Sequence, residues 1–357
     1  IIYKIECLIV LMQKILGTSI KKNFYVMHLF FHPSLNNAIP YRTSYYNQTW
    51  GFCVTHDMYE KLSVMTDTFH VLIDSEHVDG SMVYGELLIP GKSEIEILIS
   101  CYFCHPSMAN DSLSGVILTT FLARDLLAKK DRNFSYRVVF VPETIGAIAY
   151  CEKNEKAMQS INQGLVITTV GGPGPHGFKK SFDDLHPINA LVMEVFANFG
   201  IEPIVYGFDV HGSDERQYSS QGFRINTVTV TKDKYYEFTE YHTSADNLNF
   251  VNAEQIVETF YLYEELIGLI DANICYKNLL PKCEPMLSKR GLYSSIGGKV
   301  NPTIDGQIDQ DALLWLLFLS DGTHSVHDIS KKTNIPMQVL LSNIEKLVSH
   351  NILRPVT

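Results

Sequence analysis

Polar residues that could bind a metal ion or move a proton occur in three short clusters of the sequence. The first, CHPSMANDSLSG, contains His105 and Asp111; the second, PETIG, contains Glu143; and the third, YHTSADN, contains His242. Imidazole and carboxylate groups are the ligands expected of a hydrolytic zinc site that keeps one position open for water. A nearby carboxylate outside the ligand set, such as that of Glu143, could take the proton from that water.

Each of these residues also has an ordinary structural explanation. His105 could be a hydrogen-bonded histidine beside a strand, and Asp111 could cap the helix expected to begin near Ser112. Glu143 could be a solvated loop carboxylate, and His242 could simply be exposed. Residue types and spacing therefore leave both interpretations open. The shared position of the clusters, at strand ends or before a neighbouring helix, favours a metal site.

The elements that must position these clusters alternate between strand and helix. Short apolar runs predict strands, and segments with helical periodicity follow them, which indicates an α/β sheet covered on both faces. Ligands of such sheets bind beyond the carboxyl ends of the strands, where the clusters lie. The predicted strands are 96–101, 136–141, 164–170 and 225–230, and the predicted helices are 113–127, 147–158, 188–198 and 253–274.

The flanking segments have a different character. Residues 38–90 are rich in aromatic and β-branched residues between turn residues, which predicts an all-β region with a hairpin at Asp79-Gly80. Residues 1–30 predict a helix, and their apolar run at 5–12 is too short to span a bilayer. The first residue is Ile1, so the sequence could be a fragment. From residue 306 a helix–turn–helix–helix pattern is typical of a winged helix.

The composition limits the kinds of partner. The chain has 357 residues, of which 46% are hydrophobic and 19% charged, so it is a globular protein. Its net charge of −10 argues against general nucleic-acid binding. Seven scattered cysteines fit reduced thiols, so we expect a cytoplasmic protein with no membrane segment. The segment from 306 to the end has five acids and four bases, which favours a protein contact or homo-oligomer over DNA binding.

The motifs ANDSLSG, PETIG, GSDERQY and YHTSADN occur in the order found in bacterial zinc aminopeptidases, and the sequence resembles that family. The resemblance implies that His105 and His242 are metal ligands, that Asp111 is the bridging aspartate and that Glu143 is the catalytic base. Two ligand acids of the family are missing: one position is Thr144, and the segment ITTVGG contains no acid. The resemblance therefore implies one zinc ion, with water completing a tetrahedron.

A closer resemblance extends over nearly the whole chain. The strings IPYRTSYYNQTWGFC, IDSEHVDGSMVYGE and EYHTSADNLNF are similar to uncharacterised bacterial proteins with an aminopeptidase-like domain, some of them associated with polysaccharide biosynthesis. That family implies a three-layer α/β/α zinc-exopeptidase-like core with a mixed sheet, an inserted small β domain and a C-terminal winged helix. We therefore predict five segments: 1–30 (first core segment), 31–91 (inserted β domain), 92–275 (metal-binding core), 276–305 (linker) and 306–357 (winged helix).

Several further residues are candidates for the surroundings of the site. Ser107 stands where the zinc aminopeptidases have an acid that orients the first histidine, so another group must orient His105. The charged loop HGSDERQY could contact substrate or could be a salt-bridged structural loop. The predicted substrate contacts are Arg216, Tyr218, Glu215 and Tyr241, and the predicted supporting acids are Asp246 and Asp214.

Other patterns carry weaker signals. Tyr45, Tyr46 and Trp50 could line a cleft or form the core of the β domain. Cys101 and Cys104 form a lone C-x-x-C, which we interpret as buried thiols. The run GGPGPHG lacks the Lys-Ser/Thr of a P-loop.

Three functions remain possible from the sequence. The first is a single-zinc hydrolase that cleaves an amide bond in a small peptide or an N-acylated, sugar-linked metabolite. The second is a non-catalytic zinc-binding scaffold, and the third is a ligand-sensing DNA-binding regulator.

Overall fold

The computed structural model describes residues 28–43, 50–66, 79–292 and 304–356, with side chains in the last range from 309 onward. The predicted helix within residues 1–30 lies almost wholly outside these ranges. Tyr45, Tyr46 and the first strand of the predicted hairpin also lie outside them.

A seven-stranded mixed sheet forms the centre of the molecule. Its strand order is β3-β5-β4-β6-β9-β7-β8, and neighbouring strands are parallel except for the antiparallel pairs β3–β5 and β9–β7. The strands are β3 (Gly85–Ile89), β4 (Glu96–Tyr102), β5 (Ser135–Val141), β6 (Gln163–Val166), β7 (His176–Lys179), β8 (Ile204–Tyr206) and β9 (Asn226–Lys232).

Helices cover both faces of the sheet, as predicted. Side chains alternate across a strand, so Ile97 and Ile99 of β4 pack on one face and Leu98 on the other. Both sides are buried, which explains why the strand is a continuous apolar run. The first face is covered by α2 (Gly115–Ala128), α5 (Pro187–Asn198) and α7 (Ala253–Ala272); the second by α3 (Ile145–Lys153), α4 (Glu155–Ser160) and α6 (Glu215–Tyr218).

The start of α2 shows why its first residue is glycine. A Cβ atom on Gly115 would lie 2.7 Å from the carbonyl oxygen of Ile167 and 2.5 Å from Ser112 Oγ. Only glycine allows the helix to approach the sheet this closely. The approach places Asp111, in the irregular turn Ala109–Ser114, beside the strand ends.

The region predicted as an inserted β domain differs from the prediction in two respects. Strand β3 pairs with β5 along its whole length and is therefore an edge of the core sheet. His56–Val64 is a helix, α1, whose N-cap Thr55 accepts a hydrogen bond from the backbone N–H of Met58 at 3.2 Å. The other described elements of this region are two short paired strands, β1 (Leu29–Phe30) and β2 (Phe52–Cys53).

The C-terminal module is a winged helix. Three helices, α8 (Ile304–Leu319), α9 (Val326–Thr333) and α10 (Met337–Ser349), pack with an antiparallel sheet of order β11-β10-β12. Its strands are β10 (Cys275–Asn278), β11 (Asp321–Ser325) and β12 (Leu353–Val356). Because β10 pairs with both of the others, the module includes residues 276–278, which belong to the segment that we predicted as a linker.

The winged helix shares its hydrophobic core with the first face of the sheet. At this contact the backbone N–H of Met337 donates to Glu194 Oε1 of α5 at 3.1 Å, and Gln338 donates to Glu265 of α7 at 3.1 Å. In the described part of the chain, no helix is both long enough and apolar enough to cross a bilayer.

Candidate metal centre

His105 and Glu143 lie beyond the ends of two neighbouring parallel strands. Tyr102, the last residue of β4, pairs with Val141, the last residue of β5. The next residues of both strands therefore meet at one edge of the sheet, and His105 Nε2 lies 3.6 Å from Glu143 Oε2. Burial lowers the pKa of His105, which favours the neutral imidazole that a metal requires.

Asp111 and His242 complete the cluster from two distant segments. Asp111 Oδ2 lies 3.0 Å from His242 Nε2. His105, Asp111 and His242 each offer one ligand atom, and these atoms lie within 4.8 Å of one another. The structure thus brings together the three predicted ligands.

The donor set has the chemistry of a cation site. Asp111 Oδ2 and His242 Nε2 are both buried and lie 3.0 Å apart, and neither has another hydrogen-bond partner among the groups that the structure describes. A buried carboxylate oxygen and a buried imidazole nitrogen without such bonds are costly unless they share a proton or a cation. Two imidazoles and one carboxylate also match the ligands that zinc prefers. The residues therefore fit a zinc ion.

The charges of the site favour an ionised Asp111. Burial raises the pKa of this carboxyl, but hydrogen bonding to His242 and the charges of both histidines lower it below its ordinary value overall. Tyr102 donates its hydroxyl proton to Asp111 Oδ1, and Thr168 donates to the Tyr102 oxygen at 2.6 Å. Burial, followed by the charges of Asp214 and Asp111, raises the pKa of Glu143 well above its ordinary value.

Asp246 supports the turn that carries Asp111. Its two carboxylate oxygens accept the backbone N–H groups of Asn110 at 2.6 Å and Asp111 at 2.9 Å. Its own carbonyl accepts the N–H of Ala109 at 3.1 Å. These bonds hold the ligand turn against the segment that carries His242.

Cys104 lies where a group that orients His105 is needed. Its Sγ is 3.4 Å from His105 Nδ1 and accepts the backbone N–H of Glu143 at 3.1 Å. Ligand histidines normally use their second nitrogen for such a contact. From the sequence, Cys104 was predicted only to be a buried thiol. Its contact with His105 could have been predicted from its position immediately before that residue, just after a strand. Cys104, His105 and Glu143 form a second set of closely spaced ligand atoms.

Two of the predicted substrate contacts are interior residues. Tyr218 is fully buried, with its hydroxyl 2.7 Å from Ser100 Oγ. Glu215 is also buried, where it accepts the Thr229 hydroxyl at 2.5 Å and lies 3.8 Å from Lys179 Nζ. Neither side chain is accessible to a substrate, so both support the α6 segment instead. Arg216 is exposed on that helix.

Asp214 connects α6 to the Glu143 loop. Its Oδ1 accepts the backbone N–H of Thr144 at 2.7 Å, which holds the residue next to Glu143. Burial is the main reason that the pKa of Asp214 is raised to about 7. Asp214 thus holds the backbone beside Glu143, and its role in supporting a metal site stays a prediction.

Aromatic rings enclose the two histidines. Tyr241 stacks on His242 with centroids 3.9 Å apart, and Tyr41 packs edge-on at 5.3 Å. Tyr41 also lies 5.5 Å from His105, and its backbone N–H donates to the His242 carbonyl at 2.7 Å. From the sequence, Tyr41 was not predicted to be a site residue. Trp50, in contrast, stacks on His28 beside the short strands.

Comparison with known families gives two matches. Residues 37–273 match the family described as domain of unknown function DUF4910, and residues 274–355 match a winged helix-turn-helix family. A Clostridium acetobutylicum protein is 43% identical over 304 residues, which cover 85% of this chain and 68% of that protein. It is provisionally named a polysaccharide biosynthesis protein with an aminopeptidase-like domain.

Solved structures give the same fold. A crystal structure from Clostridium acetobutylicum, provisionally described as a peptidase, is 38% identical, with a TM-score of 0.79 over 95% of this chain and 75% of that one. A zinc aminopeptidase from Bacillus subtilis has a TM-score of 0.51 at 12% identity, covering 68% of this chain and 63% of that one. This second likeness concerns the fold alone.

Proposed function

Because the chain belongs to the DUF4910 family and has an aminopeptidase-like fold, we propose that it is a zinc-dependent hydrolase of amide bonds. The observation that carries this proposal is the convergence of His105, Asp111 and His242, with Glu143 Oε2 3.6 Å from His105 Nε2. The proposed ligands are the first three residues, and the proposed base is Glu143.

The zinc ion and the residues of the chain would have different roles in the proposed reaction. A bound zinc ion would act as a Lewis acid on the amide carbonyl and would make water in the site more acidic. Glu143 would accept a proton from the attacking water and pass it to the leaving amine. Cys104 and Asp214 would hold the Glu143 backbone in place, and Tyr102 and Asp246 would hold Asp111.

Zinc analysis combined with a matched pair of variants tests this proposal. We expect about one zinc ion per chain in the wild type and in Glu143→Gln, and loss of zinc in His242→Ala, because only the latter removes a ligand. Glu143→Gln should lower amide hydrolysis at least ~10²-fold, which is the lower range for loss of a general base. Aminoacyl p-nitroanilides and N-acyl hexosamines are suitable substrates for the assay.

A scaffold without catalysis is the second candidate. It is favoured by Thr144 and the acid-free segment ITTVGG, which stand where zinc aminopeptidases carry further ligands. The same experiment separates the two functions. Stoichiometric zinc in a protein that hydrolyses none of the amides would support the scaffold and contradict the hydrolase.

A further inference from the structure

Residues 39–41 lie along the segment that carries the proposed ligand His242, although the two segments are far apart in the chain. The backbone N–H of Tyr41 donates to the His242 carbonyl at 2.7 Å, and that of Ser244 donates to the Ile39 carbonyl at 2.8 Å. The N–H of Ile39 also donates to Ser244 Oγ at 2.9 Å, and the two segments pair in an antiparallel bridge. These hydrogen bonds fasten residues 39–41 to the ligand segment.

The backbone of His242 has a conformation that needs such support. Its φ is +52°, in the left-handed region that residues with a side chain rarely occupy. A residue persists in this region only where the surrounding structure fixes it. The bond from the Tyr41 N–H to the His242 carbonyl is one such contact, so residues 39–41 help to fix the backbone from which this imidazole extends.

The ring of Tyr41 contacts both of the proposed ligand imidazoles. Its centroid lies 5.5 Å from that of His105 and 5.3 Å from that of His242, and the two imidazoles lie 5.0 Å from each other. All three distances fall in the range in which aromatic rings attract one another. The three rings therefore form a triangle, and a rotation of either imidazole towards this side would displace the tyrosine ring.

We propose that Tyr41 is a positioning residue of the metal centre, whose ring holds the two imidazoles at the spacing that a shared cation requires. Tyr41 belongs to the region that we predicted as an inserted β domain. The metal centre is therefore complete only when this region packs on the core sheet. The inference rests on the metal site of the proposed function, but it does not require that the protein hydrolyses amides.

Cobalt binding to the zinc-free full chain tests this role without an assay of hydrolysis. The visible absorption of bound cobalt depends on the geometry of its ligands. We expect Tyr41→Ala to change this spectrum and to bind cobalt about tenfold more weakly than the wild type, the lower end of the range for groups that orient ligand imidazoles. Tyr41→Phe should restore both the affinity and the spectrum, because it keeps the ring and removes only the hydroxyl.

Tyr59→Ala is the matched control for this experiment. Tyr59 is also half-buried in the region before the core sheet, where its ring stacks on Phe31 with centroids 4.1 Å apart. Its loss should destabilise that region but leave the cobalt affinity unchanged. Tyr41→Leu keeps much of the volume of the ring, so it takes the place of Tyr41→Ala if the alanine variant does not fold.

Three results would overturn the positioning role. The first is equal cobalt affinity in the wild type and in Tyr41→Ala, or in Tyr41→Leu where that variant takes its place. The second is an equal loss of affinity in Tyr59→Ala, and the third is a Tyr41→Phe variant that binds cobalt as weakly as Tyr41→Ala.

The outcome is separable from that of the hydrolase proposal. Weaker cobalt binding in Tyr41→Ala, with recovery in Tyr41→Phe, would support the positioning role even if the wild type cleaves no amide. Amide cleavage by a wild type whose cobalt affinity does not depend on the ring at position 41 would retain the hydrolase and remove the positioning role.

Discussion

The sulfur atom of Cys104 contacts both a proposed metal ligand and the proposed catalytic base. It contacts a nitrogen of the proposed ligand His105 and accepts the backbone N–H of the proposed base Glu143. A contact to the nitrogen that does not bind the metal fixes the orientation of a ligand imidazole. Loss of such a contact typically lowers the metal affinity by roughly 10- to 100-fold. The thiol therefore contacts the nitrogen of His105 that an orienting group would use, and residue 107 is a serine without a carboxylate.

We predict that Cys104→Ala binds zinc about 10- to 100-fold more weakly than the wild type. Cys104→Ser should recover part of this loss, because a hydroxyl can still contact the imidazole. Chelator competition measures the affinities, and Cys151→Ala, which removes a buried thiol of α3, is the control. Equal zinc affinity in Cys104→Ala and the wild type would contradict the orienting role.

We expect His176 to make the stability of the fold sensitive to acid. Burial, together with the charge of Lys232, lowers its pKa from 6.5 to about 4. Between these values the unfolded chain binds a proton that the folded chain does not, so stability falls as the pH drops from about 6.5 towards 4. We predict that His176→Gln loses less stability between pH 7 and pH 5 than the wild type. Urea unfolding at both pH values measures this, and an unchanged difference would exclude His176 as a cause.

At the scale of elements, apolar runs with strand length gave reliable predictions. The strand predicted at 96–101 is Glu96–Tyr102, and the one predicted at 136–141 is Ser135–Val141. Burial on both faces imposes such runs directly. The position of two motifs directly after strands also predicted that His105 and Glu143 lie close together, because parallel strands end at one edge of the sheet. The approach of His242 was implied by the resemblance of the motifs to those of zinc aminopeptidases.

Elsewhere the local pattern was insufficient. The aromatic residues of 38–90 suggested strands, but Thr55 and Asp57 are helix-start signals, and they outweigh the aromatic pattern in α1. Glu215 and Tyr218 are one helical turn apart, so they share a face, but the sequence does not say whether that face points inward. The contact of Cys104 with His105 depends on side-chain direction at a strand end, which spacing does not specify.

Gly115 lies between helix α2 and the turn that carries Asp111, so a change there should affect both the packing of the helix and the position of the proposed ligand. Because a Cβ there would meet Ile167 O at 2.7 Å, we predict that Gly115→Ala lowers the free energy of unfolding by about 1–3 kcal/mol and weakens zinc binding. Gly268→Ala in α7 is the matched control, since its Cβ would meet nothing within 4 Å; it should raise stability by about 0.5–1 kcal/mol. Chemical denaturation that gave both variants the same stability would contradict the close-approach argument.

At the scale of the whole molecule, the winged helix packs against the core. In winged helices and related modules, the N-terminal residues of the recognition helix contact DNA bases. The corresponding helix here is α10, whose first residues Met337 and Gln338 bond to Glu194 and Glu265 of the core. The start of α10 is therefore already occupied within the chain.

The charge of the module leads to the same expectation. Lys346 is the basic residue of α10, and its Nζ lies 3.7 Å from Asp309 of α8. A helix whose one basic side chain is paired in this way gains little from counterion release, which supplies most of non-specific DNA affinity. We therefore predict that the full chain does not shift random duplex DNA in a gel at low salt, even at protein concentrations of about 10 µM. A gel shift that weakens steeply with added salt would show that basic residues on another surface of the protein contact DNA. The DNA-binding regulator would then replace the scaffold as the alternative to the hydrolase.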